Sequence, residues 1–372
     1  MFFVTCAPGL EILLHAEARE LRLGKVERQV GGIQFEGTLV DAMRANLWLR
    51  TAVRVLMRVS RFEAKDDAAL YAGARAVDWS RFLAGERRFV IDAHTNASAL
   101  DHTLFIEQRV KDAIVDRFRE LENRRPDVDK QDPDVSIYVH LVKDRCTLLV
   151  DTSGESLHKR GWRRYQGRAP LSETLAAALV LFSGWDRRAP LIDPFCGGGT
   201  ILIEALLLAR NIAPGSFRKQ FGFQRWPGYD ETAWKKLVDE AARAAKPNAR
   251  PVLQGRDWDP ATIAGAAENL HGAGIEAAIE FTVGEATEWE PKPGWNAWIV
   301  TNPPYGERVG AERALEASYT RFGQFVAEGC DGYHLSLLTS SQRLAEALRL
   351  PRLSRRPLLN GPLECVLLSG PV

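Results

Sequence analysis

The chain has 372 residues, 45% hydrophobic and 26% charged, and its 49 Lys+Arg against 48 Asp+Glu leave a net charge of +1. That length implies two or three domains, and the balanced charge excludes a globally basic nucleic-acid binder, so any polyanion site has to be a local patch. Five scattered cysteines (Cys6, Cys146, Cys196, Cys330, Cys365) without a CxxC pair exclude a disulfide framework or a zinc site, and no apolar run reaches the length of a membrane span. The opening MFFVTCAPGLEILL lacks the basic start of a signal peptide, so a cytoplasmic protein with no membrane partner is expected.

In chain order, MFFVTCA reads as a strand, and GLEILLHAEARELRLG as an amphipathic helix stopped by Gly24. VERQVGGIQFEG is a hairpin, and LVDAMRANLWLRTAVRVLMRVSRF is a helix running into a strand. A second α/β unit follows: helix DDAALYAGARAV, strand RRFVIDAHTN, long helix HTLFIEQRVKDAIVDRFREL, then VSIYVHLVK and RCTLLVDTSG, two strands joined at Lys143-Asp144. Between the long helix and these strands, ENRRPDVDKQDPD is a polar, proline-containing loop. After the turn-rich stretch SGESLHKRGWRRYQGRAP the rhythm becomes strand–helix–strand: helix LSETLAAALVLFSGW, strand PLIDPFC, a glycine turn into ILIEALLLARNI, and strand VLQGRDWD. Helix PATIAGAAENLHGAG follows, then strands IEFTVGEA, NAWIVTNPPYG, YHLSLLTS and LECVLLS, which predicts a mostly parallel sheet with right-handed crossovers.

The glycine turn Gly197-Gly198-Gly199 lets a ligand approach bare backbone at a helix N-terminus. Dinucleotide enzymes, methyltransferases and ligand-free turns all use such a connection. Three acids at successive strand ends narrow the choice. Asp193, just before the turn, would repel a pyrophosphate but suits the ammonium of a methionine moiety; Asp257 is placed for ribose hydroxyls and Glu285 for an adenine amino group. Each acid alone could equally be a solvated loop residue or a helix cap, as Asp259 before Pro260 could be. A neutral nucleoside joined to a zwitterionic amino acid fits all three, and S-adenosylmethionine is such a molecule.

Asn302-Pro303-Pro304-Tyr305 ends a strand that the two prolines prevent from continuing. With DPFCGGGT, this NPPY resembles class I S-adenosylmethionine-dependent methyltransferases that modify exocyclic or amide nitrogens. The lone pair of such a nitrogen is delocalised. The Asn302 side-chain oxygen and the Pro303 carbonyl could accept its N–H groups and aim the lone pair at the methyl, while Tyr305 stacks on an extruded base. The bland alternative is a rigid turn with Tyr305 as a core ring. Adenine-N6, guanine-N2 and protein glutamine-N5 methyltransferases share the pattern.

FFVTCAPGLE, EGTLVDAMRANLWLRTAVRVLMRVSRFEA, SGESLHKRGWRRYQGRAPLSETLAAALV and LLNGPLECVLLS resemble the large-subunit (23S) ribosomal RNA guanine-N2 methyltransferase family over nearly the whole chain. The resemblance implies a ferredoxin-like segment (1–59), a THUMP RNA-binding domain (60–155), a basic linker (156–170) and a Rossmann-like class I methyltransferase domain (171–372). That last domain would have a mostly parallel seven-stranded sheet with an antiparallel last strand. It also implies cofactor contacts from Leu171, Thr174, Asp193, Phe195, Gly197, Gly199, Thr200, Asp257, Trp258, Glu285 and Ala286, and catalytic roles for Asn302, Pro303, Pro304 and Tyr305. Glu285 stands where the family more often has aspartate. Some family members carry a second methyltransferase behind the first; this chain ends at Val372, and a single activity is expected of it.

SLHKRGWRRYQGR interleaves Lys159, Arg160, Arg163, Arg164 and Arg168 with Trp162 and Tyr165, and contains no acid. That pattern suits phosphate pairing and base stacking, so RNA contact is expected of Lys159, Arg160, Trp162, Arg163, Arg164 and Arg168; the alternative is a solvated linker. The seven histidines show no metal-ligand spacing, and no catalytic metal is expected. Transfer RNA guanine-N2 methylation, protein glutamine-N5 methylation and an RNA-binding factor without catalysis are the competing functions.

Overall fold

The structure, a computed structural model, describes residues 1–84, 87–167, 170–275, 278–305 and 312–372. In the first half, β1 (Phe2–Cys6), α1 (Glu11–Glu20), β2 (Val26–Gln29), β3 (Gly32–Phe35), α2 (Leu39–Trp48) and β4 (Ala52–Glu63) lead into α3 (Asp67–Arg75), β5 (Arg88–Asn96) and α4 (Thr103–Glu122). The half closes with β6 (Asp127–Val128), β7 (Val135–Val142) and β8 (Arg145–Asp151), and its strands form one sheet, β2-β3-β1-β4-β8-β7-β5-β6. Along β7 buried and half-buried residues alternate, as VSIYVHLV predicts for a strand with one face on the core. Lys143 and Asp144, at φ 50° and 58°, make the tight primed turn into β8.

The twelve residues of β4 couple the two expected units of this half: Phe2 pairs with Met57 on one edge, and Glu63 with Arg145 on the other. The expected division after residue 59 therefore falls inside a strand that both units share.

The second half contains α5 (Glu173–Phe182), β9 (Leu191–Asp193), α6 (Thr200–Ala209), α7 (Glu231–Ala244), β10 (Leu253–Asp257), α8 (Pro260–Gly272), β11 (Glu280–Val283) and β12 (Trp298–Thr301). It continues through α9 (Glu312–Gly329), β13 (His334–Thr339), α10 (Gln342–Ala347), β14 (Ser354–Asn360) and β15 (Leu363–Pro371). The strand order is β11-β10-β9-β12-β13-β15-β14; β9 to β13 pair in parallel and β15 runs antiparallel to both neighbours, as expected. Because β10 lies on one side of β9 and β12 on the other, the winding reverses there and a crevice opens at the strands' carboxyl ends. All ten residues of α6 are buried, which its sequence TILIEALLLA, apolar all round but for Glu204, requires.

Charged hydrogen bonds join the halves. The Arg218 guanidinium donates to the carbonyls of Ser153, Glu155, Ser156 and Lys159 at 2.8–3.2 Å, and Arg225 pairs with Asp132 and Asp134 at 3.4 Å. Five elements go beyond the sequence reading, and one, β6, is a two-residue edge strand on β5 within the stretch read as a polar loop. Helix α10 has only six residues, too few for a period to register, and SRRPLLN reads against a strand because its proline is tolerated only at an edge, where β14 lies. The other two, α7 and α9, are amphipathic helices. Among the described residues no helix is long and apolar enough to cross a membrane.

Candidate active site

The crevice is built first by backbone. Strand β9 ends at Asp193, and the chain turns through Gly197 (φ +51°) and Gly199 (φ +76°) into α6. A Cβ on Gly199 would lie 2.9 Å from the Phe281 ring, so both conformation and space demand glycine. The turn is pinned to the neighbouring strand: Cys196 N–H donates to the Arg256 carbonyl (2.9 Å), and Gly197 N–H to Asp257 Oδ2 (3.1 Å). Asp257 Oδ1 accepts from Asp259 N–H, and the Asp257 carbonyl from Gly284 N–H, tying the ends of β10 and β11 together. Trp258 is 70% exposed beside Asp257, Glu285 is exposed after β11, and Ala286 behind it is buried.

Asp193 is 1% exposed. Its Oδ1 accepts from Thr301 Oγ1 (2.7 Å) and Phe195 N–H (3.2 Å), whereas Oδ2 meets no donor among the described residues. Burial pushes its carboxyl up to about 7, the Asp257 carboxylate adds to the rise, and the two donors oppose it. A cation placed at Oδ2 would relieve this carboxylate.

Across the switch point, β12 delivers NPPY. Asn302 is half-buried, Pro303 buried, Pro304 exposed and Tyr305 half-buried. Asn302 Oδ1 is buried with no hydrogen-bond donor among the described residues, a state that costs about 1–3 kcal/mol until a ligand supplies one. The Pro303 carbonyl also has no donor among the described residues. The rest of the tetrapeptide is held: Tyr319 Oη donates to the Pro304 carbonyl (3.5 Å), and Asn360 Nδ2, from the β14–β15 turn, donates to Tyr305 Oη (2.8 Å). Burial pushes the Tyr305 phenol up to about 12, so it stays neutral.

Leu171 and Thr174 are both buried at the N-terminus of α5, where Ser172 caps the helix. Arg163 fastens that end to α6: it donates to Glu173 Oε1 (2.9 Å), the Leu171 carbonyl (2.8 Å) and Thr200 Oγ1 (3.2 Å). The expected basic RNA face is corrected here. Arg160 is 1% exposed and donates to Glu204 Oε1 (3.2 Å), the Leu157 carbonyl (2.8 Å) and the Arg50 carbonyl (2.5 Å). Trp162 is 0% exposed. Neither can meet RNA, and the Arg163 guanidinium is engaged inside the fold. Arg164 is exposed, Lys159 is exposed and paired with Glu155 (3.1 Å), and Arg168 lies outside the described residues.

Three functional positions escaped the sequence reading. Thr301 orients Asp193; its signal was a polar residue closing an apolar strand. Fully buried Asn269, in Ala-rich α8, accepts from the N–H groups of Arg164 and Tyr165 and donates to the Gly198 and Tyr165 carbonyls, at 2.7–3.1 Å. It straps the linker to the glycine turn. Asn360 had a signal in LLNG, but its bond to Tyr305 spans 55 residues.

Comparison with known proteins adds lineage to this geometry. Residues 160–369 match the model of the RMKL-like methyltransferase domain, 64–151 that of the THUMP domain, and 1–56 that of the RlmL ferredoxin-like domain. The chain belongs to the RMKL-like methyltransferase family. It is 42% identical to the ribosomal RNA large subunit methyltransferase K/L of Methylococcus capsulatus, over 98% of this chain and 50% of that protein. It is 40% identical to the protein of the same description from Pseudomonas aeruginosa, over 98% and 52%. The chain thus spans about half the length of these curated relatives. Among solved structures, SMU.472 complexed with SAH superimposes with a TM-score of 0.90 at 30% identity, covering 99% of this chain and 97% of that one. A Listeria monocytogenes str. 4b F2365 protein, predicted to be an N6-adenine-specific DNA methylase, gives 0.90 at 32% identity over 99% and 95%. The class I methyltransferase fold expected from the sequence is thereby established.

Proposed function

We propose that this chain transfers a methyl group from S-adenosylmethionine to the exocyclic N2 of a guanine in RNA, with 23S ribosomal RNA or its precursor particle as substrate, in the cytoplasm. The observation that carries the reading is the pair of open acceptors, buried Asn302 Oδ1 and the Pro303 carbonyl, just past the end of the strand that pairs with the Asp193 strand. An arylamine offers two N–H groups to match them. The family membership and the SAH complex of SMU.472 support the choice of cofactor, and the K/L relatives support the choice of RNA.

The residues present fit the cofactor. Asp193 Oδ2 would take its ammonium, Asp257 its ribose hydroxyls, and Trp258, Glu285 and Ala286 its adenine. Phe195, Gly197, Gly199 and Thr200 would line it along the turn, whose Phe195, Gly197 and Gly199 N–H groups are spent on holding the turn's shape, and Leu171 and Thr174 would close the methionine end. When bound, S-adenosylmethionine supplies an electrophilic methyl on a sulfonium. The protein's part is orientation: Asn302 and Pro303 accept the amine's hydrogens, favour a pyramidal nitrogen and direct its lone pair. Tyr305, locked by Asn360, offers a flat face to an unstacked base. No strong base is needed, because the nitrogen sheds its proton readily once alkylated. Segments 1–59 and 60–155 would grip the RNA, 156–170 would join them to the catalytic unit, and 171–372 would perform the transfer.

The test is purified protein with labelled cofactor and unmodified 23S ribosomal RNA, transfer RNA, DNA and protein pools, followed by product identification. N2-methylguanosine in ribosomal RNA is expected. Label confined to transfer RNA, to protein, or to N6-methyladenine in either nucleic acid would overturn the assignment.

A further inference from the structure

Residues 347–363 hold four arginines (Arg349, Arg352, Arg355, Arg356) and no Asp, Glu or Lys, in a chain whose charges otherwise nearly cancel. All four are exposed. Arg343, just before the run, does find an acid, pairing with Glu316 at 2.7 Å, as Arg88 does with Asp129 and Asp132. Among the described residues Arg349, Arg352 and Arg355 have neither an ion pair nor a side-chain hydrogen bond, while Arg356 lies over the Phe182 ring at 4.4 Å. The backbone beneath them is fixed: β14 pairs with β15 from Ser354 to Asn360, and Leu348, Leu353 and Leu358 are buried as anchors. Four unneutralised guanidinium groups on a rigid edge form a preorganised anion surface.

Its position specifies the partner. Strand β14 is the outermost strand on the side of the switch point away from β10 and β11, whose ends are assigned to the cofactor. Its far end is Asn360, which holds Tyr305. From Arg355 to Asn360 is about 17 Å of strand. Resting on the function proposed above, we infer that the Arg349–Arg356 edge is a phosphate-backbone contact, along which the RNA flanking the target nucleotide runs toward the Tyr305 pocket. This places an RNA grip on the catalytic unit itself, in addition to the first half and in place of the buried arginines of the linker. Arginine and proline also protect an edge strand from pairing with another sheet, but that role needs no affinity for RNA.

The experiment uses the full chain carrying Arg349→Gln, Arg352→Gln and Arg355→Gln together, with unmodified 23S ribosomal RNA as probe and an Arg→Lys triple variant as the charge-conserving control. Binding is followed over about 50–200 mM salt, where each lost phosphate contact lowers the log–log slope by about 0.7–0.9. The Gln variant should lose about 2–3 from that slope and raise the RNA KM on the order of tenfold. Its kcat at saturating RNA, its cofactor affinity and its melting temperature should be unchanged, and the Lys variant should retain the wild-type slope. Wild-type slope and KM in the Gln variant, with the wild type methylating RNA, would overturn this surface alone. A wild type that neither binds nor methylates RNA would overturn the functional reading and this surface with it. Loss of binding to an acidic ribosomal protein with RNA binding intact would reassign the edge to a protein partner.

Discussion

Replacing Arg160 separates a folding role from an RNA-binding role. In the structure its guanidinium is sealed between the first half and α6, with Glu204 Oε1 at 3.2 Å and two carbonyls as further acceptors. Side-chain exposure is 2% for Arg160 and 0% for Glu204. Arg160→Ala would strand the Glu204 carboxylate, whose pKa burial already raises against the pull of Arg160 and Arg50. Breaking one side of a buried pair costs about 3–5 kcal/mol, a large part of the stability of an ordinary domain. Replacing both partners with apolar residues removes the stranded charge, so Arg160→Met/Glu204→Leu should recover most of that loss. Urea unfolding of the wild type, Arg160→Met, Glu204→Leu and the double variant gives the cycle directly, with Arg160→Ala measured alongside, and filter binding gives RNA affinity for each under conditions where it is folded. If Arg160→Ala unfolded like the wild type but lost RNA affinity, the side chain would have to lie on the surface, and the buried arrangement would be wrong.

Asp193 makes cofactor binding depend on pH: with its carboxyl at about 7 in the free protein, an ammonium ligand needs the ionised form, so calorimetric affinity should fall up to tenfold per pH unit below about 7, and Asp193→Asn should bind weakly at every pH. The sign for folding is opposite, since a carboxyl raised from 3.8 loses stability as pH climbs toward 7, and bound cofactor should restore it. Tyr305→Phe and Asn360→Ala each delete the same 2.8 Å bond, so in methyl-transfer rate the double variant should resemble either single one; fully additive losses would show that the bond does not orient the ring. Gly199→Ala meets Phe281 at 2.9 Å with φ at +76°, so cofactor affinity should drop at least tenfold, and an unchanged dissociation constant would contradict the turn geometry.

The sequence was most legible where a residue type imposes its own backbone geometry. Glycines at positive φ, two prolines ending a strand and acids after parallel strands mark the crevice without reference to distant residues, and the resemblance to a known family extended that local reading across the chain. It was least legible where function depends on which polar group meets which. The stretch 156–168 looks like a surface because it is basic, but every N–H of a guanidinium can be met inside a fold. Arg160 finds carbonyls at Leu157 and Arg50 and an acid 44 residues on. Nothing in SLHKRGWRR distinguishes that fate from exposure. Asn269 likewise reads as one polar residue in a helix until its four bonds to the linker and the turn are seen. The edge strand β14 was hidden by its own arginines and proline.

Single-turnover methyl transfer by Asn302→Ala, with cofactor and RNA both saturating, tests the open-acceptor clamp most directly. The rate should fall about 10²–10³-fold, as for loss of one preorganised partner of a reacting group, while cofactor affinity stays within about twofold of wild type. A rate equal to that of the wild type would mean that the amine is oriented by something other than Asn302.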